Sequence, residues 1–272
     1  MNGKKIILNP ILLMHPEINS ASSLINLNQR VFLCCDDQYG LYELSPEGKW
    51  THFIWDHAPE LPIEHLELKK VKPDFEALLH SAIDQDTLFL IPSGSKLNRT
   101  KVLSFDLNSQ QFKVQDFSIF YKDLFTRASE VNIEGAVKFG DEYLFLNRGV
   151  QSQLSSIITV NSKTLMIDSI TDIDFGSIEM TYLHGSELSL FEGALYALAV
   201  AEATANSYDD GEIRGSSLVK LSLEPSEKFK VLEQWIFDRP VKLEGLCRWD
   251  NKWLVATDPD GNGLSEFYTF HF

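Results

Sequence analysis

The chain repeats itself. A serine or glutamate that leads into a short apolar strand recurs at Ser22, Glu76, Glu134, Ser186 and Glu244, at spacings of 54, 58, 52 and 58 residues. Three of these starts are nearly one phrase: Phe75-Glu76-Ala77-Leu78, Ile133-Glu134-Gly135-Ala136 and Leu243-Glu244-Gly245-Leu246. Each then turns into a second apolar run, Leu88-Phe89-Leu90, Leu144-Phe145-Leu146 or Leu254-Val255-Ala256. The extra residues of the Glu76 copy fall in the turn around Asp84-Gln85-Asp86, where a structural repeat tolerates a change of length.

Each unit holds further strands. After Glu134 come apolar and β-branched stretches near 141–146, 155–160 and 166–173, broken by Asn147-Arg148-Gly149 and Asn161-Ser162-Lys163. Turn residues every eight to twelve positions describe a four-stranded antiparallel meander, and a meander at this period reads as a propeller blade. The chain is therefore expected to be all-β, a single five-bladed β-propeller with blades near 20–57, 74–118, 132–176, 184–238 and 242–272. The last unit stops one strand short, so the stretch 4–14 is expected to complete it, with Ile6 to Leu13 in the sheet of Ser265 to Phe270.

Composition narrows the function. A net charge of −15 and a pI near 4.8 argue against nucleic acid or an anionic membrane as partner and are compatible with attracting cations. No run of eighteen apolar residues predicts a membrane span. Lys4-Lys5 and the apolar run after it loosely mimic a secretory signal, but Asn9-Pro10 interrupts them; a cytoplasmic location is expected, with periplasmic export as the lesser alternative. Cys34, Cys35 and Cys247 read as small buried residues. The excursion from Asp56 to Asp74, with Lys69, Lys70 and Lys72, reads as a solvated connection.

The stretches Ser20-Ala21-Ser22…Asp36-Asp37, Lys72 to Leu78…Ser93-Gly94-Ser95, Asn132 to Gly135…Asn147-Arg148-Gly149, Val200-Ala201-Glu202…Ser207 to Gly211 and Leu243-Glu244-Gly245…Thr257-Asp258 recur in order along nearly the whole chain. In this it resembles a bacterial propeller family catalogued as a domain of unknown function. The resemblance implies the fold and supplies no reaction. The glutamate-glycine-apolar strand more distantly resembles esterase-like phytase-type propellers and, more weakly still, the gluconolactonase group of metal-dependent hydrolases.

In a propeller the first strand of each blade lines the central channel, so equivalent starts converge there. Ser22, Glu76, Glu134, Ser186 and Glu244 are thus expected to form a ring of three carboxylates and two hydroxyls. Two carboxylates about 4 Å apart repel by roughly 4 kcal/mol at an effective dielectric near 20. A hard cation such as Ca²⁺ on Glu76, Glu134 and Glu244, a shared proton, or nearby Arg148, Lys96, Arg99 or Arg214 could offset this. The bland alternative is that each glutamate accepts backbone N–H bonds from the next blade and pins the ring.

The loops after the second strands differ from blade to blade and are expected to gather at one mouth of the channel. They bring Asp36 and Asp37, Ser95 and Lys96, Asn147 and Arg148, Glu202 and Tyr208, and Asp258 as ligand-binding candidates. Asp258-Pro259-Asp260-Gly261 imitates the opening of a calcium loop, although a tight hairpin turn accounts for it better. No GxSxG elbow, HExxH, P-loop or dinucleotide fingerprint occurs, and the seven histidines show no metal spacing.

Two functional classes follow. One is a hydrolase of phosphoesters or lactones using a divalent cation, with Glu134, Glu244 and Arg148 as catalytic groups. The other is a noncatalytic propeller that binds a small molecule or protein at the loop face.

Overall fold

The five starts mark five sheets. In the computed structural model, which describes residues 4–11, 18–62, 64–204, 211–259 and 263–271, each start lies on the innermost strand of its own blade. The innermost strands are Ala21–Leu27, Phe75–His80, Ile133–Phe139, Thr181–Phe191 and Leu243–Trp249, and each neighbours the next around a closed ring. Three further strands follow in the first four blades, for example Glu142–Asn147, Ser155–Asn161 and Ile167–Ile173 in the third, each antiparallel to the one before.

The register explains why the start residues are special. In every blade the pairing of the innermost strand slips by one residue, between Ala21 and Ser23, Phe75 and Ala77, Ile133 and Gly135, Gly185 and Glu187, and Leu243 and Gly245. The residue left over is Ser22, Glu76, Glu134, Ser186 or Glu244. A bulge re-aims its side chain out of the regular alternation, which is how one polar side chain per blade departs from an otherwise apolar strand.

The glycine after the glutamate follows from the same geometry. A Cβ on Gly135 would lie 2.5 Å from the Leu188 nitrogen on the next innermost strand, and one on Gly245 would meet Leu24 at 2.7 Å. Close approach of neighbouring innermost strands therefore demands the Glu-Gly pair in these two blades.

Both faces of every sheet are covered, so alternate residues of one strand feed two different cores. Phe32 and Cys34 pack with Phe75, Leu78 and Leu90 between the first and second blades, while Val31, Leu33 and Cys35 pack with Cys247, Leu254 and Phe267 between the fifth and first. The three cysteines are thus buried packing residues.

Closure by the N-terminal segment is borne out in a divided form. Asn9–Ile11 pairs antiparallel with Phe267–Thr269 and completes the fifth blade. Lys4–Ile6 instead pairs parallel with Trp235–Phe237 on the fourth blade, so the expectation that Ile6 joins the fifth sheet is corrected. Asn9-Pro10 accounts for its place: the proline has no N–H to donate and sits on an outermost strand. Buried Ile6 and Leu8 fill the seam between the two blades, and the stretch 12–17 lies outside the described residues.

Two helices lie in the crossovers. Helix α1 (His65–Val71) precedes the second blade, and α2 (Ser118–Arg127) wedges Phe120, Tyr121 and Leu124 into the core between the second and third blades. No helix of the described residues is long and apolar enough to cross a membrane.

Candidate functional site

The innermost strands run from one mouth of the channel to the other, and the loops after the second strands return to the first mouth. Backbone bonds hold the two together there: Asp36 N to Ser20 O, Ser93 N to Asp74 O, Arg148 N to Asn132 O and Asp258 N to Lys242 O. Each start thereby acquires a polar residue two positions earlier, at Ser20, Asp74, Asn132, His184 or Lys242, and a polar loop residue beside it.

Three largely covered cations each bridge two carboxylates. Lys72 joins Asp36 to Asp74, with 3.1 Å to the latter. Arg148 reaches Glu202 at 2.6 Å and Glu134 at 3.4 Å. Lys242 reaches Asp258 at 2.8 Å and Glu244 at 3.1 Å. Arg99 adds a fourth cation on Asp74 at 2.8 Å, supported by Ser93 and Ser95. Lys72, read from sequence as solvated, is one of these bridges, and Lys242 drew no notice as a ring cation. Arg214 turns outward to Glu179 and Glu212.

Glu76 is treated differently. Oxygens of Glu76, Glu134 and Glu244 all lie within 4.8 Å of one another, and so do oxygens of Asp36, Asp74 and Glu76. Glu134 accepts from Asn132 at 2.6 Å and from Arg148, and Glu244 has Lys242. Among the described residues no hydrogen bond or ion pair reaches the Glu76 carboxylate. Burial, reinforced by the charges of Asp74, Glu134 and Asp36, pushes it well above the ordinary range, against the pull of Lys72.

The neighbouring groups shift in ways their surroundings explain. Burial drives Glu244 well above its ordinary value and raises Glu134, although Arg148 and Lys242 pull the latter down. Asp36 rises to about 6 through burial, opposed by Lys72. For Asp74 burial acts upward, but Lys72 and Arg99 outweigh it and leave the group below its usual value. His184 falls to about 4, from burial and then the Arg148 charge, and its Nδ1 has no hydrogen-bond partner.

The remaining sequence candidates divide. Ser22 donates to Ser20 O within its strand, and Ser186 donates to Leu243 O on the next blade, so these hydroxyls serve the backbone. Asn147 clamps Asn132 N and Glu130 O at the start of its blade. Asp37 accepts from Ser20, while Lys96 sits near Arg99, Asp74 and Lys72 in a more exposed position. Glu202 ties Arg148 to Gly211 N. Tyr208 and the 260–262 part of the calcium-like loop lie outside the described residues.

The pinning role foreseen for the start glutamates belongs to a residue that the repeat did not flag. Glu187, fully buried, accepts from Ser23 Oγ at 2.6 Å, Leu24 N at 3.3 Å and Leu188 N at 2.8 Å, and so spans the channel from the fourth blade to the first. Ser23 in turn accepts from Leu78 N of the second blade. The signal was a glutamate standing where other copies carry glycine, alanine or serine.

With the geometry in place, the comparisons agree on family and fold. Residues 17–272 match the family of unknown function DUF6929, and the chain belongs to it. No curated protein matches the sequence. Among solved structures, a GH43 glycoside hydrolase engineered to show both endo-xylanase and exo-arabinofuranosidase activity is similar over 96% of this chain and 51% of its own, at 6% identity and a TM-score of 0.60. The glutaminyl cyclase of Myxococcus xanthus is similar over 99% of this chain and 98% of its own, at 9% identity and a TM-score of 0.52. A luciferin-regenerating enzyme is similar over 98% and 95%, at 9% identity and the same TM-score. At such identities the likeness shows the fold alone.

Proposed function

We propose that the protein is a divalent-cation-dependent hydrolase of an ester-type bond, phosphoester or lactone, with the cation on Glu76, Glu134 and Glu244. The observation that carries this reading is Glu76: three carboxylate pairs around the mouth are bridged by a built-in cation, while among the described residues its own carboxylate has no hydrogen bond or ion pair, has Glu134 and Glu244 within 4.8 Å, and feels Lys72 only through its charge. An all-oxygen ligand set suits Ca²⁺ or a similar hard ion, which when bound supplies Lewis acidity toward a carbonyl or phosphoryl oxygen. Arg148, held by Glu134 and Glu202, is placed to receive developing negative charge, with the more exposed Lys96 further out beside Asp74. Asp36, Asp37, Ser95 and Asp258 frame the approach.

One observation favours the noncatalytic alternative. Each of these cations already has a carboxylate partner, so the ion pairs close internally apart from Glu76.

Elemental analysis of the purified protein, then thermal melting after chelation and re-addition of Ca²⁺, Mg²⁺, Mn²⁺ or Zn²⁺, tests the reading. One ion per chain that raises Tm and is lost in Glu76→Gln, together with turnover of an ester or phosphoester, is the expected result. A bound ion without turnover supports the binding propeller. Absence of any ion overturns the site.

A further inference from the structure

Which ester a mouth of this kind would admit follows from its charge and its rim. Nine carboxylates, Asp36, Asp37, Asp74, Glu76, Glu134, Glu187, Glu202, Glu244 and Asp258, converge on the channel and its mouth against buried Arg99 and the largely covered Lys72, Arg148 and Lys242. Even with Lys96 counted the carboxylates are in excess, and none of these four cations is without a carboxylate. Protonation of the most strongly shifted glutamates would reduce this excess without creating an unshared cation. A phosphate monoester dianion would therefore approach a chain of net charge −15 and compete for guanidinium and ammonium groups that are already taken.

The rim supplies the complementary fact. Leu97, 83% exposed, stands in the second-blade loop two residues from Arg99, and Met180, 96% exposed, stands in the hairpin that leads into the fourth innermost strand. Leu154 and Leu264 are exposed immediately before Ser155 and Ser265, which bond Gly185 N and Ala21 N of innermost strands. Four of the five blades thus present an exposed aliphatic side chain on the mouth side. At the opposite end, four of the five innermost hairpins turn through Asn28-Gln29, Gly140-Asp141, Glu192-Gly193 and Asp250-Asn251, and the fifth, in the second blade, carries Ile83, 73% exposed.

We infer that the substrate is an uncharged ester or lactone carrying an apolar chain, the polar ring taking the carbonyl and the aliphatic rim the chain. This rests on the hydrolase reading above and selects within it. In the reaction, the oxygen of water bonds to the carbonyl carbon, the acyl C–O bond breaks, and one proton of that water ends on the departing oxygen. The products are a carboxylic acid and a hydroxyl, joined in one molecule when the substrate is a lactone. No redox partner is needed.

The test uses the full chain, loaded with whichever ion it retains, on p-nitrophenyl esters of two to eight acyl carbons, γ-lactones of matching side-chain length, p-nitrophenyl phosphate and bis-p-nitrophenyl phosphate. The expected result is hydrolysis of the esters or lactones, with kcat/KM rising at least about tenfold from the shortest to the longest chain, as partial burial of the added methylenes requires. The double variant Leu97→Ser, Met180→Ser flattens that rise. Turnover of the phosphates but not of the esters or lactones overturns the inference and leaves the hydrolase reading standing, as does turnover independent of chain length. A stoichiometric ion with no hydrolysis of any of the four overturns both.

Discussion

Two carboxylate groups sit in one channel under opposite arrangements. Glu187 accepts from a hydroxyl and two backbone N–H groups drawn from opposite sides of the ring, and it binds blades together. Glu76, on the bulge of its strand, receives no hydrogen bond among the described residues and faces Glu134 and Glu244. Both are pushed well above the ordinary carboxylate range, chiefly by burial, so the shift alone does not separate them. Their donors do: one site is closed on itself, and the other has no donor among the described residues. A perturbed carboxyl in a channel does not by itself mark function, because structural networks shift such groups too.

The sharpest way to break this contrast is Glu187→Ala. It leaves the Ser23 hydroxyl and the Leu24 and Leu188 N–H groups without their acceptor, and a loss of about 3 kcal/mol or more in urea unfolding is expected. A loss below about 1 kcal/mol would remove Glu187 as a pin. Arg148→Met strands Glu134 and Glu202 as buried charges and should cost about 3 kcal/mol, read the same way.

Glu76→Gln should act in the other direction. Replacing a carboxyl that burial and its acidic neighbours hold out of its ordinary ionisation is expected to stabilise the cation-free protein by about 1–2 kcal/mol while abolishing any rise in Tm on adding a divalent ion. Destabilisation by this substitution would assign Glu76 the same structural role as Glu187.

The smallest effect is a pH slope. Asp36, raised from 3.8 to about 6, keeps its proton in the fold after the unfolded chain has lost it, so its contribution falls as pH climbs across that interval. His184, lowered from 6.5 to about 4, is neutral in the fold while the unfolded chain is charged, so its contribution rises over nearly the same interval. Each amounts to roughly 3 kcal/mol, and the two oppose each other. Above pH 6.5 the raised glutamates Glu76, Glu187 and Glu244 remain, and the ion-free protein should lose stability as pH rises through their folded values. Urea titrations from pH 4 to 9 check this, and the slope above 6.5 should be shallower in Glu76→Gln.

Much of this could be read from the chain because blades repeat. A repeat places equivalent residues at equivalent points, so Ser22, Glu76, Glu134, Ser186 and Glu244 were legible as one set, and the bulges give the set its meaning. What escaped the sequence was whatever differs between copies. Lys72 looked like one of a solvated lysine run, because nothing local says that Asp36, from the preceding blade, will sit beside it. Glu187 fell outside the pattern because its partners come from the other side of the ring. Helix α2 had no place in a strand repeat, although its Phe120, Tyr121 and Leu124 fill an interblade core.

The seam has a consequence in time. Lys4–Ile6 and Asn9–Ile11 bind strands near Trp235–Phe237 and Phe267–Thr269, and Leu8 N donates to Asp238 across 230 positions of sequence. During synthesis this segment leaves the ribosome well before any of its partners exist. The early blades can pair their own hairpins as they emerge, but the ring has no latch until Phe267–Thr269 is out. Contacts of such separation close slowly, and through that wait the exposed edges of the early blades and the apolar Ile6 and Leu8 are open to other chains. The segment that completes the circle is therefore also the one whose delay sets how long the nascent propeller stays vulnerable to aggregation.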